Sequence, residues 1–257
     1  MKIIFLGTGT SVGVPMIGCT CPVCTSTDPR NRRRRSSLYV ESENTNIVAD
    51  TPPDFREQAL AFQLRRVDAV LFTHSHADHI FGLDDIRRFN TLQQTVIPAY
   101  ACRSALADLR RIFDYVEQPA VFPGTYRPEI EFREVNGPFD VGSLRVTPVE
   151  VIHGTETTLG FRFDANGRSL GYAPDCHAMS PAAISTFRGV DVMILDGLRH
   201  RPHATHLTVT DSVNLLREIG AQRSYITHMC HELDHETTQR TLPDSIWLSY
   251  DGLTLEW

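Results

Sequence analysis

Thr73-His74-Ser75-His76-Ala77-Asp78-His79 places three imidazoles and a carboxylate within six consecutive positions, 74–79. The segment follows directly on the apolar run Val67-Asp68-Ala69-Val70-Leu71-Phe72. Imidazole nitrogen and carboxylate oxygen are donors for zinc, manganese or iron. On an ideal helix His74 and His76 would diverge by roughly 200°, so one cation could not collect both. The spacing therefore calls for an open turn at the end of a strand. A polar surface turn rich in histidine is the bland alternative. The density of donors behind a buried strand argues against it.

Three further apolar runs end in a metal-friendly residue. Val149-Glu150-Val151-Ile152 hands over to His153, Leu170-Gly171-Tyr172-Ala173 reaches Asp175 after Pro174, and Ser224-Tyr225-Ile226-Thr227 hands over to His228. Any one of these reads as a satisfied surface residue. Loops at the ends of a rigid sheet are where functional side chains concentrate. Together with the 74–79 segment, the three favour ligation.

Cys19-Thr20-Cys21-Pro22-Val23-Cys24 is a second cluster, and Cys102, Cys176 and Cys230 are scattered. Close exposed thiols without a metal invite oxidation. Three thiolates are one donor short of the tetrahedral shell of structural zinc. His231 and Cys230, just past His228, are the best placed to supply the fourth. Cys176 reads as a small packing residue.

The elements that must position these groups are legible as periodic runs. Lys2-Ile3-Ile4-Phe5-Leu6 is a buried strand leading into the turn Gly7-Thr8-Gly9-Thr10-Ser11. That turn lacks the lysine of a phosphate-cradling loop, so it reads as a tight turn beside the site. The run Arg32-Arg33-Arg34-Arg35 reads either as a phosphate or RNA contact or as a solvated edge. Strands are expected over 37–40, 46–49, 67–72, 130–135, 144–151, 158–164, 169–172, 190–195 and 224–227. Helices are expected over 54–63, with Asp54 capping, and over 83–90, 103–117, 181–187 and 209–219. Segments 246–250 and 253–257 read as a closing hairpin around Asp251-Gly252. Strands in two sets with helices between and after them predict an α+β, four-layer αββα sandwich, one domain over 1–257 with the cysteine knuckle at 19–24.

Of the 257 residues, 41% are hydrophobic and 22% charged, an ordinary globular balance. No apolar stretch is long enough to span a bilayer, and 3–6 reads as a strand rather than a signal-peptide core. The expectation is a cytoplasmic protein without a membrane partner. A net charge of −6 argues against a long nucleic-acid footprint.

The ordered set His74-x-His76-x-Asp78-His79, His153, Asp175 and His228 resembles the metallo-β-lactamase superfamily. The resemblance implies that His74, His76 and His153 hold one metal. Asp78, His79 and His228 would hold a second, with Asp175 bridging both. The cysteine knuckle with Thr227-His228-Met229-Cys230-His231 is similar to the cyclic-phosphate phosphodiesterase subgroup, whose best-understood member opens 5-phosphoribosyl 1,2-cyclic phosphate in the carbon–phosphorus lyase pathway. By that likeness Cys19, Cys21, Cys24 and His231 hold structural zinc, Cys230 remaining the competing donor. His228 serves catalysis. Two divalent ions (Zn, Mn or Fe) and one zinc are the implied cofactors, and a metal-bridging hydroxide the implied nucleophile. His206 matches the subgroup's general acid and, with Asp78, makes up the expected catalytic residues. His200 and His203 read as exposed loop histidines. Arg199 or Arg201 are candidates for binding a second phosphate, and Asp50 and Asp54 for orienting metal-bound imidazoles.

The expected partner is a small phosphodiester, with a second copy of the chain in a homodimer as the protein partner considered. Two rivals share the scaffold. A ribonuclease Z-like nuclease carries an inserted arm in the interval that here runs only from His153 to Asp175. A non-catalytic cofactor-binding or carrier protein usually goes with lost ligands, whereas all seven are present here.

Overall fold

The computed structural model describes residues 1–118 and 126–257. Among the described residues, fourteen strands form two seven-stranded sheets. In the first, β1 (Lys2–Gly7), β2 (Ser37–Ser42), β3 (Thr45–Ala49), β4 (Ala69–Leu71), β5 (Ile97–Ala101), β6 (Ile130–Glu134) and β14 (Thr254–Glu256) are ordered β14-β1-β2-β3-β4-β5-β6. In the second, β7 (Phe139–Val141), β8 (Leu144–His153), β9 (Glu156–Ala165), β10 (Arg168–Ala173), β11 (Val192–Asp196), β12 (Arg223–Thr227) and β13 (Ile246–Leu248) are ordered β13-β12-β11-β10-β9-β8-β7.

The facing sides of the sheets share one core. Ile3, Phe5, Leu38 and Val40 meet Phe161, Phe163, Leu170 and Ile194, all buried, and the Phe5 and Tyr225 ring centroids lie 5.7 Å apart. Helices α1 (Phe55–Ala61), α2 (Ala77–Ile80), α3 (Arg87–Gln93) and α4 (Arg103–Ile112) belong to the first half, with Phe55, Ile80, Phe89 and Leu106 joining that core. Helices α5 (Pro181–Phe187), α6 (Val209–Ile219) and α7 (His235–Gln239) follow in the second half. On its outer face Met193, Leu195 and Ile226 pack against Ile184, Phe187 and Leu216 of α5 and α6. The result is the expected αββα sandwich.

Strand direction explains why the site forms where it does. β3, β4 and β5 are parallel, as are β10, β11 and β12. β8 is antiparallel to β9, which is antiparallel to β10, so β8 runs with β10. By the same logic β1 runs with β3. The carboxyl ends of these strands therefore open on a common edge, the usual place for a ligand crevice in parallel sheets. Asp50, the Thr73–His79 turn, His153, Asp175, His228 and the Gly7–Gly9 turn all lie there.

Several expectations need correction. The tail is not a hairpin: β13 pairs parallel with β12, while β14 crosses to the other sheet and pairs antiparallel with β1. The 83–90 helix is a 3₁₀ turn at Leu83–Ile86 followed by α3, and the 103–117 helix stops at Ile112 before another 3₁₀ turn, Asp114–Val116. Asp54 does not cap α1. Its carboxylate accepts the Arg35 backbone N–H at 2.8 Å and the Arg35 guanidinium at 3.0 Å. Of the four arginines Arg32 is exposed, but Arg33 is only 1% exposed, Arg34 faces Asp251 at 3.7 Å and Arg35 binds Asp54, so the run as a whole is not a solvated edge. β5, β7, α2 and α7 have no counterpart among the expected elements.

Candidate metal centre

The loop after β4 is shaped by Asp50. Its backbone lies in the left-handed region at φ 63°, as does that of His228 at φ 58°. For a non-glycine residue this costs about 1–3 kcal/mol and needs compensation from its surroundings. At Asp50 the compensation is visible: its carboxylate accepts Thr73 N–H at 2.8 Å, Thr73 Oγ1–H at 2.9 Å and His79 Nδ1–H at 2.8 Å. Thr73 Oγ1 in turn lies 3.0 Å from His74 Nδ1, and Thr205 O accepts from His153 Nδ1 at 2.8 Å. The three imidazole contacts are all made at Nδ1 and turn Nε2 of His74, His79 and His153 toward the cluster. Such outer partners fix the tautomer of a metal-binding imidazole.

The freed nitrogens converge on Asp175. Its Oδ2 lies 3.8 Å from His74 Nε2 and 3.6 Å from His153 Nε2. Its Oδ1 lies 3.2 Å from His79 Nε2 and 3.4 Å from His228 Nε2. Asp78 Oδ2 approaches the same two nitrogens at 3.4 and 3.7 Å. His76 Nδ1 is 2.8 Å from His74 Nε2. One carboxylate thus presents one oxygen to each of two histidine groups, His74–His76–His153 and His79–His228 with Asp78.

This arrangement fits cations. His79 Nε2, His228 Nε2 and Asp175 Oδ1 are buried without hydrogen-bond partners, a costly condition unless something else binds them. Ligands at about 2.0 Å in a tetrahedron lie about 3.3 Å apart, which matches the spacing. Burial alone would push the Asp175 carboxyl up, but His228 and His79 hold it well below its ordinary value. It is therefore a carboxylate at neutral pH.

His206 stands at the margin of the cluster. Its ring stacks on His228 at 4.7 Å and lies 4.7 Å from His153. Its Nδ1–H donates to Asp196 Oδ2 at 2.7 Å, which also accepts Cys176 N–H at 3.0 Å. Burial, reinforced by His228, holds the His206 imidazole down to about 3. Asp196 escaped the sequence reading, although the same signal was available: it is the acid that ends the apolar strand β11. His203, half-buried, has its ring 5.1 Å from that of His206, and its Nδ1 accepts Thr205 N–H at 3.3 Å. His200 is exposed. Arg199 and Arg201 do not reach the cluster: Arg199 binds the carbonyls of Arg201 and Pro202, and Arg201 clasps Glu232 at 2.7–3.0 Å. They brace the loop that carries His206.

The second cluster gathers Cys19, Cys21, Cys24 and His231. His231 Nδ1 lies 3.3 Å from Cys19 Sγ and 3.4 Å from Cys21 Sγ, against about 3.5 Å for sulfur and nitrogen sharing a tetrahedral zinc. The Cys24 backbone N–H and then His231 bring the Cys21 thiol down to about 6, a thiolate at neutral pH. Cys230 stays outside the group, with its Sγ accepting Glu232 N–H at 3.4 Å and burial pushing its thiol up. Of the two candidates for the fourth donor, the geometry brings in His231. Cys176 is fully buried, in keeping with packing.

Residues 45–229 match the family model described as a beta-lactamase superfamily domain. Among solved structures, one titled as a new diphosphatase from the PhnP family superposes with a TM-score of 0.91 at 39% identity, covering 100% of this chain and 96% of that one. Among curated proteins, an octanoyltransferase of Porphyromonas gingivalis is 34% identical over 98% of this chain, which spans only 51% of that protein's length. A coenzyme PQQ synthesis protein B of Methylobacterium nodulans is 29% identical, over 77% of this chain and 73% of its own length. The chain belongs to the beta-lactamase superfamily, with the metallo-β-lactamase fold, and is PhnP-like.

Proposed function

We propose that the chain is a metal-dependent hydrolase of a small phosphodiester, a cyclic phosphate or a nucleotide-like diester. The observation that carries this reading is the convergence of seven imidazole and carboxylate groups, several with orphaned buried atoms, beside the Asp196–His206 pair. His74, His76 and His153 would hold one divalent ion, and Asp78, His79 and His228 the other. Asp175 would bridge them. Cys19, Cys21, Cys24 and His231 would hold a structural zinc. When bound, the paired cations supply Lewis acidity toward phosphoryl oxygens and a water activated near neutral pH.

The chain's own groups do the rest. Asp50, Thr73 and the Thr205 carbonyl keep the ligating nitrogens of His79, His74 and His153 aimed inward, which limits the reorganisation needed as charge develops. Asp196 fixes His206 through Nδ1, so that Nε2, unprotonated at neutral pH, is the nitrogen that would take a proton from the attacking water and pass it to the departing alkoxide. Burial pushes the Asp196 carboxyl well above its ordinary range, with His228 opposing that rise; in its ionised form a carboxylate at Nδ1 also stabilises the imidazolium that must form, the role it plays in other His–Asp pairs.

The identity to the PhnP-family diphosphatase supports phosphate-ester chemistry. The octanoyltransferase name belongs to a protein twice as long as the matched region. Cys176, beside the cluster, is buried with its thiol pushed well above the ordinary value by that burial, and so offers no acyl-carrying nucleophile. A nuclease with an arm between His153 and Asp175 is disfavoured because β9 and β10 fill that interval. The test is a turnover panel of cyclic ribose phosphates, cyclic nucleotides, a dinucleoside diphosphate, bis-p-nitrophenyl phosphate and short RNA, with divalent metal supplied. Turnover of the small diesters with little on RNA is expected. No turnover of any diester by metal-replete protein would favour the carrier reading instead.

A further inference from the structure

Arg33 is among the largest fully buried side chains of the molecule, yet no carboxylate lies within ion-pairing distance of it among the described residues. All its partners are neutral. Nη1 donates to Cys230 O at 3.0 Å, and Nη2 to Leu233 O at 2.7 Å and Asn31 Oδ1 at 3.1 Å, while Nε reaches Arg30 O at 3.3 Å. Burying a guanidinium without a carboxylate is expensive, and an apolar residue of similar volume would ordinarily serve stability as well or better. Burial brings its pKa down only to about 10, so the cation persists at neutral pH.

What the guanidinium grips is the 228–233 segment, which carries a donor of each cluster: His228 of the histidine–aspartate group and His231 of the cysteine group. The grip is reinforced from the other side. Met229 N–H donates to Thr8 O at 2.9 Å, and its carbonyl accepts Thr10 N–H at 3.2 Å. Gly9, between them, lies so close to the Arg33 backbone that a Cβ there would meet Arg33 O at 2.8 Å. A dication with three thiolates and a neutral imidazole carries a net charge of −1, and a buried cation on the adjoining carbonyls offsets it.

We propose that Arg33 is a positioning residue that couples the cysteine knuckle to the histidine–aspartate cluster, so that metal binding at one raises metal affinity at the other. The inference rests on the reading that both clusters take metal. By linkage the effect must be reciprocal.

The test titrates metal-free protein with cobalt(II), following thiolate-to-cobalt charge-transfer absorption for the knuckle and the visible ligand-field bands for the histidine cluster. In the wild-type background, Cys21→Ser is expected to weaken cobalt binding at the histidine cluster by about 10-fold or more, the scale of outer-partner effects on metal sites. Arg33→Met is expected to weaken it comparably by itself. In the double variant the two losses do not multiply, because the first has already cut the connection. Arg33→Lys, which keeps the charge but not the fork, should fall between wild type and Arg33→Met. A merely structural role for Arg33 would lower the melting temperature and leave the cluster's cobalt affinity alone. Equal cluster affinities in wild type and in both Arg33 variants, or losses that multiply fully, would overturn the coupling. A wild-type protein with no thiolate band would overturn the knuckle's metal assignment as well, which separates the two failures.

Discussion

At the scale of single residues, Asp196 and Asp50 divide the labour around one cluster. Asp196 holds His206. His206→Ala is therefore expected to retain its metals and lose about 10²–10⁴ in turnover, most severely on alkyl diesters with poor leaving groups. Metal analysis alongside rates on aryl and alkyl diesters would check this, and equal activity on alkyl diesters in both proteins would remove His206 from the mechanism. Asp50 acts on the other side, through His79 Nδ1 and the Thr73 turn. Asp50→Ala should weaken metal binding about 10–100-fold, measured by competition with a chelating dye. An unchanged affinity would show that the His79 tautomer is fixed without it.

At the scale of elements, the site was legible to the extent that a strand announces where it ends. His153, Asp175 and His228 each follow an apolar run, and β8, β10 and β12 deliver them to one edge because they run in the same direction. Asp196 obeyed the same rule but closes a strand read as purely structural. The tail was opaque for a different reason. Asp251-Gly252 has the local chemistry of a hairpin turn, and local chemistry cannot say that β13 and β14 pair with different sheets. β5 was hidden by Pro98, its second residue. Arg33 was hidden inside a run of like charges whose usual meaning is solvation, whereas only tertiary contacts reveal a buried cation. The close approach of the β1 turn to that arginine yields a prediction of its own. Gly9→Ala must displace the backbone of Arg33, so a loss of stability of about 1–3 kcal/mol by urea unfolding is expected, with activity reduced because Thr8 and Thr10 hold Met229 beside His228. A variant as stable and active as wild type would show that the turn has room to give.

At the scale of the whole molecule, Asp251 links the last strand of the chain to the first. Its carboxyl accepts Thr8 N–H and Oγ1–H at 3.0 and 2.8 Å and Arg34 N–H at 2.8 Å. Burial, only partly opposed by these donors, pushes its pKa up to about 7 from the ordinary 3.8. The folded state thus holds a proton that the unfolded chain releases above its lower pKa, and the stabilisation is present in acid and fades as pH rises toward about 7. Relative to Asp251→Asn, wild-type stability should decline between about pH 4 and pH 7, with a slope of at most about 1.4 kcal/mol for each step in pH, and run parallel above that range. Urea unfolding of both proteins across that range measures the difference. Parallel curves throughout would mean that the carboxyl is already ionised in acid.

On the proposed reading, the carboxyl edge of the two sheets encloses a pair of cations between Asp175 and the six other donors. Anomalous X-ray scattering from crystals of metal-loaded protein, collected on both sides of the absorption edge, tests it directly. Two peaks flanking Asp175, one toward His74, His76 and His153 and one toward Asp78, His79 and His228, are predicted, with a third among Cys19, Cys21, Cys24 and His231. Metal-loaded crystals with no peak between Asp175 and the histidines would show that the seven groups do not form a metal site.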